Sequence, residues 1–98
     1  MIATIPTQAQ VDQIARELAP AVVRIRLEDG QDWSEHSALY LRVVLSDEAS
    51  ELERLSAVAE KVRTKLSEAL QLSESDRISY VWFRSQSEQA KLREAAWD

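Results

Sequence analysis

Ninety-eight residues allow one domain with one modest core and leave no room for a deep enclosed site. Hydrophobic residues make up 45% and charged residues 30%, a balance that excludes a disordered chain. The absence of cysteine excludes disulfides, thiolate zinc sites and a cysteine nucleophile, and a net charge of −5 opposes non-specific binding to nucleic acid.

The opening MIATIPTQAQ has neither the basic nor the apolar stretch of a signal peptide. No apolar run approaches the roughly 20 residues of a membrane span. A cytoplasmic protein without a membrane partner is expected. Thr7-Gln8-Ala9-Gln10 fits a capping box, and Val11, Ile14, Ala15 and Leu18 follow one helical face until Pro20 forbids continuation, which predicts a helix over 8–18. AVVRIRL alternates over 21–27, with Val23, Ile25 and Leu27 on one side and Val22, Arg24 and Arg26 on the other. SALYLRVVL alternates over 37–45, with Leu39, Leu41, Val43 and Leu45 opposite Ala38, Tyr40, Arg42 and Val44.

Ser46, followed by Asp47 and Glu48, reads as the cap of a long helix over 47–71, because acids suit the positive end of the helix dipole. Its apolar stripe begins at Leu52 and runs through Leu55, Val62 and Leu66 to Leu70. The charges opposite read as a solvated face. SESD over 73–76 is a turn, and RISYVWFRS supplies a third strand over 77–84. Ser85-Gln86-Ser87-Glu88 is a second capping box, opening a helix over 86–96 that Leu92, Ala95, Ala96 and Trp97 could dock.

The order α-β-β-α-β-α in a single domain, 1–98, predicts an α+β fold. It is a two-layer sandwich, loosely ferredoxin-like, with helices covering a three-stranded sheet. Strand order 1-2-3 or 2-1-3 is compatible with a right-handed crossover.

The connection over 28–36, EDGQDWSEH, holds the single glycine, the single histidine and four acids. Asp29-Gly30 is a turn signal. A tight hairpin there would set Leu27 against Asp32 and Ile25 against Ser34, so a longer loop is expected, and long loops are often functional. Trp33 either folds back over the core edge or stands out as an anchor. Asp29, Asp32, Glu35 and His36 could in principle bind a divalent metal or serve as acid and base, but D-x-x-D-x-x-E-H matches neither an EF-hand nor a zincin helix, so no metal site is assigned. His36 reads as a surface or hydrogen-bonded histidine.

If the aliphatic sides of the strands meet the helices, the other side of the sheet shows Arg24, Arg26, Tyr40 and Arg42. The third strand adds either Ile78, Tyr80, Trp82 and Arg84 or Ser79, Val81 and Phe83. The first set is favoured, because it sends Val81 and Phe83 inward. Aromatics among arginines can stack bases and hold phosphates, and the same residue types mark protein interfaces. Acidity favours a protein, and VWFRS lacks the glycine and aromatic spacing of an RNA-recognition motif. A third possibility is that the last helix covers this face and Trp97 packs on Trp82.

No nucleophile elbow, P-loop or dinucleotide fingerprint is present. DWSEHSALYLRVVLSDE and YVWFRSQSEQAKL together resemble a group of small bacterial proteins over residues 20–93. Their genes can sit beside HEPN-type proteins, some of which are RNases of toxin–antitoxin or defence loci. The resemblance implies an accessory or antitoxin-like partner, and it carries no functional residues over. Glu35-His36 stands where that group has a small glycine-containing turn.

The sequence thus leads to a non-enzymatic interaction module without a cofactor. Arg24, Arg26, Trp33, Tyr40, Arg42, Tyr80, Trp82 and Arg84 would bind a partner protein or a second copy. The alternatives are RNA binding by the same face, or a metal-dependent enzyme using the loop.

Overall fold

A helix needs its first N–H groups satisfied, and Thr7 supplies this for α1, Gln8–Glu17. In the computed structural model, which describes residues 6–74 and 77–98, the Thr7 hydroxyl accepts from Gln10 N at 3.3 Å. The Gln10 side chain accepts from Thr7 N at 2.8 Å. Val11, Ile14 and Ala15 are buried along one side.

Three strands follow: β1 Val22–Gln31, β2 Ser37–Leu45 and β3 Ile78–Ser85. They form one sheet in the order β1-β2-β3, with β2 antiparallel to β1 and parallel to β3. Parallel neighbours need a crossover, which α2, Leu52–Leu70, provides. The core joins Val11 and Ile14 of α1, Ile25 of β1, Leu41, Val43 and Leu45 of β2, and Val62 and Leu66 of α2, with Val81 and Phe83 of β3 against it. The fold is α+β, with α1 and α2 layered on one side of a mixed sheet. No described helix is long and apolar enough to cross a membrane.

The middle strand is buried on both sides. Leu39, Leu41, Val43 and Leu45 face the helices, and Ala38 and Val44, on the opposite side, are also fully buried. Cover for that second side comes from the C-terminal segment, α3 Gln86–Leu92 and a 3₁₀ turn at Ala95–Trp97.

Several boundaries differ from the sequence reading, each for a local reason. The register shifts between Val22 and Arg24, a bulge that adds one residue to β1. Val22 therefore joins the core and Val23 is exposed, the reverse of the alternation expected. β1 continues past 27 to Gln31, so the connection to β2 is five residues, 32–36, rather than nine. Gly30 lies inside the strand opposite Ala38, and Glu35 takes the left-handed conformation at φ 66 instead.

Ser46 does not open α2. Its hydroxyl accepts from Ala49 N at 3.2 Å and its carbonyl from Ser50 N, closing a turn of its own. The helix starts at Leu52, which is 92% exposed and stands outside the apolar stripe expected to include it. Asp47 serves the last helix instead: its carboxylate accepts from the backbone and the hydroxyl of Ser87. That helix starts at its capping box, with Ser85 and Glu88 bonded reciprocally, but ends at Leu92 rather than 96. Arg93 reverses the chain at φ 52, Leu92 stays exposed, and Trp97 does the docking. The expected turn at 73–76 lies partly outside the described residues; Ser73 and Glu74 belong to a 3₁₀ turn, Leu72–Glu74.

Candidate interaction face

Register fixes the side of the sheet that turns away from α1 and α2. Arg24, Val44 and Arg84 form one row across the three strands, and Arg26, Arg42 and Trp82 the next. Glu28, Tyr40 and Tyr80 form a third, then Gly30, Ala38 and Ile78. All seven strand residues proposed for a partner share this face, since the second set of β3 side chains, Ser79, Val81 and Phe83, lies opposite core residues of β2. They do not share one environment, because the C-terminal segment divides the face in two.

The Arg24 row is the covered half. Trp97 is 6% exposed, with the Arg84 guanidinium 4.2 Å from its ring centre. No contact joins it to Trp82, where the sequence had suggested packing. Arg24 donates to the Trp97 carbonyl at 2.8 Å and to Asp98 at 3.3 Å. Arg84 donates to Gln89 at 2.8 Å and to Glu94 at 2.9 Å. Gln89, itself buried, donates to the Glu94 carbonyl and to Asp98. Arg24 and Arg84 thus hold this chain's own tail.

The remaining rows are open, and their rings form one cluster. Tyr40 and Tyr80 stack with centres 5.4 Å apart and planes within 16°, and Trp82 lies 5.4 Å from Tyr40. Arg42 sits 5.4 Å from the Tyr40 ring and 5.5 Å from Trp82, and its outer nitrogen meets Glu28. These contacts fix the rings before any partner arrives. Ile78 and Trp82 are exposed, and Trp33 joins the cluster from the loop, 6.0 Å from Tyr80. Trp33 is 84% exposed, the anchor alternative rather than a cap on the core.

The loop that presents Trp33 is built on its neighbour. Asp32 is 8% exposed and its carboxylate accepts from Ser34 N at 2.8 Å, His36 N at 3.1 Å and the Tyr80 hydroxyl at 3.1 Å. Burial acts to raise its pKa, but the His36 and Ser34 N–H groups and Tyr80 outweigh it, and the carboxyl lies below the ordinary value. Burial and the Asp32 charge push the Tyr80 hydroxyl up. Tyr40 donates to the Gln31 carbonyl at 2.9 Å, tying the same loop from the other side.

The loop acids do not converge. Asp29 pairs with Arg77 at 2.8 Å across the sheet end, and Glu35 and His36 are exposed. Among the described residues no group of three or more histidine, aspartate or glutamate side chains could hold a metal ion. The sequence reading missed the structural use of Asp32, although Asp-x-Ser is the signature of a side chain bonding the backbone two residues on. It also missed Gln89 and Glu28, whose partners are set by tertiary structure. No family model, curated protein or solved structure matches this chain.

Proposed function

We propose that this chain is a non-enzymatic protein-binding module and that it binds through the open half of the sheet face. The observation carrying this is the placement of Trp33, Ile78 and Trp82, three of the six exposed large apolar side chains among the described residues, around the Tyr40–Tyr80 stack. Large, rigid aromatics with arginine beside them are the residue types that dominate protein interfaces. They are held in place here by stacking and by Asp32, so little ordering cost remains on binding.

The RNA-binding alternative fits less well. A phosphate site needs cations to spare, and Arg24, Arg42 and Arg84 each face a carboxylate of this chain. The rings stack on one another rather than standing apart to receive bases. The sequence resemblance, rather than the geometry, suggests the class of partner: a HEPN-type RNase, to which an acidic antitoxin-like subunit would be drawn by opposite charge.

The test is capture of binding proteins from the bacterial host with the tagged chain, with and without RNase treatment. A stoichiometric protein retained after RNase is the expected result. Recovery of RNA that disappears on treatment would replace this reading with RNA binding.

A further inference from the structure

The two edges of the sheet are finished differently. On β1, the Gln8 side chain donates to the Ile25 carbonyl at 2.6 Å and accepts from Leu27 N at 2.9 Å. One amide thus takes the place of a neighbouring strand and blocks that edge. On β3, among the described residues, only Ser85 at the last position is bonded outside the sheet, to Glu88. The strand reads ISYVWFRS, pairs with β2 without a bulge, and contains no proline, glycine or lysine. It lacks the devices by which natural edges refuse a partner.

We infer that the β3 edge pairs with the β3 edge of a second copy, antiparallel about a two-fold axis, making one six-stranded sheet. Antiparallel strands place residues of the same face opposite each other. With Val81 against Val81 of the second copy, Tyr80 meets Trp82 on the open face and Ser79 meets Phe83 on the helix side. Arg84 is the only charged residue of β3, so no like charges oppose within the pairing. Charge at the strand ends selects the direction. Arg77 precedes β3, and Asp47 and Glu88 lie at its far end, where Ser87 meets Asp47. An antiparallel copy brings each Arg77 to the other's carboxylates, whereas a parallel copy would set like charges together. Ile78 and Trp82, exposed on β3, gain cover, and two aromatic clusters join into one face.

This pairing stands independently of the protein-binding reading. The full chain is tested by analytical ultracentrifugation with hydrogen exchange across the micromolar range. The expected species has twice the 11.2 kDa chain mass. Every amide from 79 to 83 is protected, and alternate ones lose protection as dilution dissociates the dimer. A single-chain mass throughout would overturn the inference, as would a dimer whose alternate β3 amides exchange rapidly. Trp33→Ala, placed on the loop, separates the two readings: it should weaken partner capture and leave the dimer intact, and loss of the dimer would count against the edge.

Discussion

Asp32 and Trp33 are adjacent, and one is almost the most buried polar side chain described while the other is nearly bare. The contrast follows from the loop: a carboxylate that collects two backbone N–H groups and a tyrosine hydroxyl turns inward, and its neighbour must then point out. Because the Asp32 pKa is lowered by folding, its stabilisation is fully present above the ordinary carboxylate range. It is lost as pH falls through the depressed value. Asp32→Asn should therefore lower the Tm at pH 7, and the gap to wild type should close as the pH is taken toward 3. A gap that stays constant with pH would show that the charge is not what the loop uses. The Asp-Trp-Ser signal for this loop was legible in the sequence. The inversion of Val22 and Val23 was not, because a bulge leaves no mark on a residue pattern that alternates equally well in either phase.

At the scale of elements, both capping boxes could be read directly, since every group they need lies within four residues. Ser85→Ala should cost about 1 kcal/mol by urea denaturation, the usual loss for a helix N-cap, and an unchanged midpoint would place the start of α3 elsewhere. The length of β1 was hidden because its last residues, EDGQ, are polar. They remain in the strand through long-range partners, Glu28 with Arg42 and Asp29 with Arg77. The start of α2 was misplaced for a similar reason, as Asp47 answers to Ser87, forty positions away. The C-terminal segment depends on Trp97, and Trp97→Ala should destabilise the fold by about 3–5 kcal/mol, the range for a buried aromatic truncated to alanine. The same measurement showing a loss below about 0.5 kcal/mol, the level of a surface substitution, would mean that the tail does not seal the sheet.

For the molecule as a whole, net charge alone is a poor guide to this face. The chain carries −5, yet the sheet side away from α1 and α2 gathers four arginines. Three of them are answered by carboxylates of the chain itself, so the open half presents rings more than charge. The composition of the face was legible from strand alternation, but its division was not, because that depends on where residues 93–98 return. The most direct measurement of the binding claim is a titration of the captured partner against wild type and the Trp33→Ala, Trp82→Ala double variant. Circular dichroism would verify the fold of both. Loss of two anchor residues should weaken binding by at least ~30-fold, on the order of 2 kcal/mol. Equal affinity for the two chains would contradict the assignment of this face.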